Sequence, residues 1–194
     1  MVWSGGLFLK EANSPGIVTW HQDLNYWGLD ELDEITAWVA LSPSNIANGC
    51  IGSSPVATPG NSYRTWTPFA ENNLLSRGQE IAVEVDDSDG STSSSKPARL
   101  RCIRSPDSAS GPNTTNDRRI GAAIRYISTS MRQKTQDRTL VALVNGEDRY
   151  GHFTIAGSPR GRLNEADFEM CRQDAQIRRR VLYEGVDPGR GNRY

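Results

Sequence analysis

A chain of 194 residues makes one domain with a sizeable buried core. Its 22 Lys and Arg nearly balance 23 Asp and Glu, so nothing implies a basic surface for nucleic acid. Cys50, Cys102 and Cys171 stand at unrelated spacings, and neither a signal peptide nor a long apolar run is present, which argues against a disulfide framework, a zinc cluster and a membrane span and implies a reducing cytoplasm.

In chain order, strand signals dominate. Alternating, β-branched or aromatic residues occupy Leu7-Phe8-Leu9, Ile17 to Trp20, Ile35 to Leu41, Ile81 to Val85, Ile120 to Ile127 and Thr139 to Val144. Gly, Pro, Asn and Ser turns separate them, and many short strands of this kind predict a mainly β sandwich or jelly roll. Two stretches, Gly52 to Pro68 and Ser88 to Ser108, are rich in Ser, Pro, Thr and Arg and lose periodicity. They read as surface loop or disorder, although loops of that length are uncommon in a compact domain. A C-terminal helix (165–184) follows, with Asn164 as its cap and Gly185 as its stop. Its Arg178-Arg179-Arg180 run reads as a solvated last turn favoured by the helix dipole.

The most informative segment is Val18-Thr19-Trp20-His21-Gln22-Asp23. An imidazole and a carboxylate two residues apart on an extended segment point to one side, as two adjacent ligands of a metal must. Non-haem Fe(II) oxygenases hold iron with two His and one carboxylate, and His21 with Asp23 supplies two of the three. A solvated His beside an Asp on a strand rim is the alternative.

From Val2 to Cys50 the chain resembles bacterial members of the phytanoyl-CoA dioxygenase family. The resemblance rests on Val2-Trp3-Ser4-Gly5-Gly6-Leu7-Phe8-Leu9-Lys10-Glu11, the His21 segment, Thr36-Ala37-Trp38-Val39-Ala40-Leu41-Ser42-Pro43-Ser44 and Asn48-Gly49-Cys50. It resumes at Ser110-Gly111-Pro112-Asn113 and at Asp117-Arg118-Arg119-Ile120-Gly121-Ala122-Ala123-Ile124-Arg125-Tyr126-Ile127. The fold it implies is a double-stranded β-helix, a jelly roll of the cupin kind. The activity it implies is hydroxylation of a small organic substrate, with Fe(II) as cofactor, 2-oxoglutarate as co-substrate and O2 as oxidant. Family members carry a helical region before the first strand, so the resemblance also implies an N-terminally truncated chain.

The same resemblance assigns roles. His21 and Asp23 would be metal ligands, and retention of Asp23 favours hydroxylation over halogenation, because related halogenases replace this carboxylate by a small residue. Arg119 would hold the far carboxylate of 2-oxoglutarate, which a guanidinium can grip with two parallel hydrogen bonds. Alternation turns its neighbour Arg118 the other way; a surface charge on an edge strand is the competing reading of Arg119. Gln22 and Trp38 match positions lining the co-substrate pocket, and Lys10 one near its mouth. Tyr26 and Trp27 bound the substrate cavity or pack beneath the sheet, and Asn113 caps a turn.

One family ligand is absent. The distal His falls at Ser108, a poor replacement for imidazole, and Asp107 beside it would face away on a strand. The only other imidazole, His152, lies well past the expected strand. Both aperiodic segments surround this position, and Ser91 to Ile103 can be encoded so that a one-nucleotide shift yields Val-Asp-Val-Val-Leu-Lys-Ala-Gly-Glu-Ile-Ala-Leu-His, resembling the family's ligand strand. Ser53-Ser54-Pro55-Val56 can be re-read as a Val-Val-Pro-Gly string in the same way, as paired frameshifts would produce. A catalytically inactive fragment with weak 2-oxoglutarate binding, and a cupin-like ligand-binding module, therefore stand beside the dioxygenase.

Overall fold

In the computed structural model the residues described are 1–21, 23, 27–30, 33–53, 65–66, 72–75, 80–81, 91–92, 94–103, 108–162 and 164–183. The strands are β1 (Val2–Lys10), β2 (Val18–His21), β3 (Glu34–Ala40), β4 (Ile51–Ser53), β5 (Thr65–Trp66) and β6 (Glu80–Ile81). They continue with β7 (Ser91–Thr92), β8 (Leu100–Ile103), β9 (Ser108–Ser110), β10 (Arg119–Ile127), β11 (Leu140–Val141) and β12 (Thr154–Ile155), before one helix, α1 (Glu165–Leu182). The protein is mainly β, with antiparallel sheets and a C-terminal helix. No helix among the described residues is long and apolar enough to cross a membrane.

The larger sheet has the order β1-β10-β3-β8, and every neighbour is antiparallel. Period-2 alternation puts Arg119, Gly121, Ala123, Arg125 and Ile127 of β10 on one face, beside Glu34, Thr36, Trp38 and Ala40 of β3. On β1, Lys10 lies opposite Arg119, Phe8 opposite Gly121 and Ser4 opposite Arg125. Trp38 lies across Gly121 so closely that an added Cβ would sit 2.0 Å from its Cζ2, which is why a side chain is missing there. A second sheet, β2-β9-β4-β7, is made of strands of two to four residues.

The apolar core gathers where β1 begins and β10 ends: Met1, Trp3, Trp27, Leu29, Ile127, Met131, Val141 and Phe153 are all buried. Each such side chain stabilises by about 1.5–3 kcal/mol relative to exposure. Asn164 caps α1 as expected, accepting from the N–H groups of Ala166 and Asp167. The helix ends at Leu182, with Tyr183 as its C-cap; Gly185 is outside the described residues.

Four sequence expectations change. Gly52 to Pro68, read as loop or disorder, contains Gly52 and Ser53 of β4 and all of β5, which pairs with β6. The stretch Ser88 to Ser108, read as loop or disorder, contains β8, which pairs in register with β3 from Val39 and Leu100 to Thr36 and Ile103. As an edge strand with Leu100 and Cys102 exposed, it owes its conformation to pairing with β3 and not to a local pattern. Thr139 to Val144 supplies only β11, Ala142 being joined to Val2 by two backbone hydrogen bonds outside the regular strands. Arg178 is no solvated charge: its Nε donates to Asp174 at 2.5 Å, its Nη2 to the Leu140 carbonyl at 2.6 Å, and its guanidinium stacks 4.3 Å from Trp3. Positions 174, 178 and 181 share one helix face, and that face meets the sheet.

Candidate active site

His21 ends β2 and Asp23 follows it by two residues. Their side chains converge as the extended spacing requires, with Nε2 of His21 3.2 Å from Oδ1 of Asp23. His21 is buried, and its Nδ1 donates to the Thr19 carbonyl at 2.8 Å, which leaves Nε2 as the nitrogen facing the carboxylate. Burial pulls the imidazole's pKa down, but the hydrogen bond and negative charge of Asp23 outweigh it, so His21 is held above its ordinary value. Asp23 moves the opposite way: burial raises it, and His21 and Arg125 together hold it below the usual carboxylate range.

Arg125 of β10 stands over this pair. Its Nη2 is 3.6 Å from Asp23 Oδ2, and its guanidinium lies 5.1 Å from the Trp27 ring centre and 5.4 Å from that of Phe8. Nothing in the sequence reading singled it out, although the alternation that turns Arg119 inward turns Arg125 inward as well.

Arg119 is buried while Arg118 is exposed and pairs with Glu11 at 2.9 Å, so alternation holds and the surface reading of Arg119 falls. Its guanidinium lies 5.4 Å from the Trp38 ring, its Nη1 reaches the Phe8 carbonyl at 3.5 Å, and its Nε is buried without a partner. Burial pushes this guanidinium below its ordinary pKa. Lys10, opposite in register, is also buried. Its ammonium donates to the carbonyls of Gly16 at 2.9 Å, Ser110 at 3.1 Å and Gly111, three acceptors for three N–H groups. Burial, and after it the charge of Arg119, lowers Lys10 to about 8.

These groups line one cavity of about 830 Å³ between the two sheets and the last turns of α1. Lys10, His21, Asp23, Trp38, Arg119 and Arg125 all contribute to its wall. Trp27, for which lining and packing were both open, does both: it lines the cavity and belongs to the core. Ser108 lies in register with His21 on the neighbouring strand β9. Among the described residues no group of three His, Cys, Asp or Glu comes together, and His152 stacks on Tyr150 away from the cavity wall. Gln22, Tyr26 and Asp107 are outside the described residues. Asn113 caps its turn as expected, its amide donating to the carbonyls of Lys10, Glu11 and Asp117 and its carbonyl accepting from Thr115.

The fold is similar to those of solved non-haem oxygenases, some of them captured with Fe(II) or 2-oxoglutarate. The non-heme monooxygenase ThoJ in its apo form is 27% identical with a TM-score of 0.83, the match covering 95% of this chain and 67% of ThoJ. Its nickel complex gives 24% identity and a TM-score of 0.74, over 95% of this chain and 66% of that one. CytC3 with Fe(II) and alpha-ketoglutarate is more distant, at 20% identity and a TM-score of 0.52, over 80% of this chain and 60% of CytC3. The chain thus spans about two thirds of ThoJ's length and less of CytC3's. No protein-family model and no curated protein matches it.

Proposed function

We propose that the chain is an Fe(II)- and 2-oxoglutarate-dependent dioxygenase of the phytanoyl-CoA dioxygenase kind, cytoplasmic, hydroxylating a small organic substrate with O2 on a double-stranded β-helix. The observation that carries this reading is the convergence of His21 Nε2 and Asp23 Oδ1 at 3.2 Å on the wall of a cavity that also holds the buried Arg119. Two adjacent ligands about 2.1 Å from one metal lie roughly 3 Å apart when at right angles. Donation from Nδ1 to Thr19 orients the ring so that Nε2 would be the ligating nitrogen once a metal displaces its proton, the usual device for a ligating imidazole. Bound Fe(II) would supply oxygen activation coupled to decarboxylation of 2-oxoglutarate to succinate.

Arg119 would receive the far carboxylate of 2-oxoglutarate. Its unpartnered buried Nε is the donor such an acceptor completes, and Trp38 against the guanidinium holds the plane of the fork. Lys10 would add positive charge beside it while its N–H groups hold the Ser110-Gly111 turn. Gln22 belongs to the same pocket by resemblance to the family. The two sheets facing across the cavity are what a jelly roll asks for.

A second reading is favoured by one observation: the described residues offer two metal donors and not three, with Ser108 opposite His21. It makes the chain a catalytically inactive relative with weak 2-oxoglutarate binding. Anaerobic Fe(II) titration with 2-oxoglutarate, followed by admission of oxygen, separates the two. A saturable charge-transfer band with succinate formation supports the enzyme. Absence of the band in the wild type with its appearance in Ser108→His supports the inactive relative, and absence in both removes the metal site altogether.

A further inference from the structure

Among the described residues seven buried side-chain nitrogen or oxygen atoms have no hydrogen-bonding partner, and six of them belong to residues lining the cavity. One is Arg119 Nε at the co-substrate end. The other five are Trp3 Nε1, Ser4 Oγ, Arg125 Nε, Gln133 Oε1 and Arg178 Nη1. Arg125 lies six residues from Arg119 along β10, about 20 Å at the rise of a strand. A buried donor or acceptor without a partner costs about 1–3 kcal/mol, so five gathered beside one cavity mark a place that a polar ligand or water would complete.

The five residues form one connected cluster. Arg178 stacks on Trp3 at 4.3 Å, Trp3 on Trp27 at 4.8 Å, and Arg125 lies 5.1 Å from Trp27. Gln133 donates through Nε2 to the Trp27 carbonyl at 2.6 Å, and Ser4 is the register partner of Arg125. A register shift between Val2 and Ser4 brings Trp3 and Ser4 to the cavity together, where a regular strand would send them to opposite faces.

Their chemistry selects a ligand. Trp3 Nε1, Arg125 Nε and Arg178 Nη1 only donate, and the Ser4 hydroxyl can donate. Gln133 Oε1 only accepts, because its amide nitrogen is committed to the carbonyls of Trp27 and Gly28. Asp174 neutralises Arg178, whereas Asp23 is shared between His21 at 3.2 Å and Arg125 at 3.6 Å, so positive charge is left over at Arg125. The stacked indoles add a flat apolar wall.

We propose that Trp3, Ser4, Trp27, Arg125, Gln133 and Arg178 form the substrate subsite, and that it takes a monoanionic carboxylic acid whose apolar or aromatic body packs on the two indoles. A hydroxyl or amine near the carboxylate would satisfy Gln133. This rests on the oxygenase reading for the identity of the ligand as substrate, but not for its binding.

Calorimetric titration of the full chain with phenylacetate, its neutral analogue phenylacetamide and phenyl phosphate tests the subsite without metal or turnover. Phenylacetate binds roughly tenfold or more tightly than either analogue, as expected for hydrogen bonds to a charged group. Arg125→Met and Arg178→Met each remove that preference, whereas Arg119→Met leaves it unchanged. Equal binding of the amide, tighter binding of the phosphate, no saturable phenylacetate binding in the millimolar range, or loss of phenylacetate binding in Arg119→Met would each overturn the assignment. The three-ligand comparison needs only wild-type protein, so a variant that misfolds does not spare the proposal. Titration of Fe(II)-loaded chain with 2-oxoglutarate, with and without Arg119→Met, reports separately on the co-substrate reading.

Discussion

The two four-stranded sheets facing the cavity differ in kind. β1-β10-β3-β8 has two strands of nine residues and one of seven, and seven consecutive in-register pairs join β10 to β3. β2-β9-β4-β7 is built from strands of two to four residues, with a register shift between Val18 and His21. The long sheet carries Arg119, Trp38, Lys10 and Arg125, and the short one His21 and the Ser108 position. Cations and aromatic rings are thus held on long strands, while His21 and the Ser108 position, where the proposed ligands would stand, lie at the ends of short ones.

The largest effect expected on function separates the ends of the long sheet. Arg119→Met lowers 2-oxoglutarate affinity roughly 100-fold or more, the loss typical of truncating a buried charge partner. Stability of the free protein is kept or rises by about 1 kcal/mol, because a buried guanidinium with an unpartnered Nε gives way to an apolar side chain. Calorimetric binding with a urea midpoint on the same variant checks both, and a fall in both together would mean that Arg119 holds the fold and not a ligand.

Next in size is the ladder itself. Gly121→Val puts a branched side chain where Trp38 Cζ2 is only 2.0 Å from an added Cβ. Neither the central strand nor the indole can yield freely, so a loss of about 3 kcal/mol in urea unfolding is expected. An unchanged midpoint would show that Trp38 has room to swing into the cavity.

The same difference governs what was legible in the sequence. Strand signals pointed to β1, β3 and β10, and alternation set Arg118 and Arg119 on opposite faces, while the inward choice of Arg119 came from resemblance to the family. His21 and Asp23 could be placed side by side from their spacing alone, and α1 from Asn164 onward. β8 could not be seen, since the edge strand Leu100–Ile103 has no buried face of its own to leave a pattern, and β9, paired on both sides, is too short at three residues to show one. Arg125 was within reach, six residues from Arg119 on the same face, but only Arg119 had a motif to point at it. Trp3 and Ser4 were out of reach, because a register shift leaves no trace in hydropathy. Arg178 was hidden in a run of three arginines, of which it alone stacks on Trp3.

A pH experiment tests how deeply the long sheet buries charge. Lys10 is lowered to about 8 by burial and by Arg119, against about 10.4 in an unfolded chain. Between those values the unfolded chain keeps a proton that the folded chain has released, so stability rises with pH across this window and is flat in this respect below it. Subtracting the profile of Lys10→Met from that of the wild type isolates the contribution. A difference that falls with pH would mean that the three carbonyls around the ammonium hold its charge more firmly than burial opposes it.

The smallest effects expected repeat the contrast on one helix. Asn164→Ala removes acceptors for two N–H groups at the start of α1, a loss of about 1 kcal/mol. Arg172 has more partners on paper, with Glu165 at 2.5 Å and Glu169 at 2.9 Å. All three side chains are more than half exposed, however, and water screens their attraction while three flexible chains lose freedom to form it. Arg172→Gln should therefore leave the urea midpoint where it was, even though Arg172 forms as many ion pairs as any residue of the helix. A clear loss at Arg172 would mean that the outer face of α1 is covered by something that excludes water, and the exposed glutamates beside it would then be the place to look for a partner.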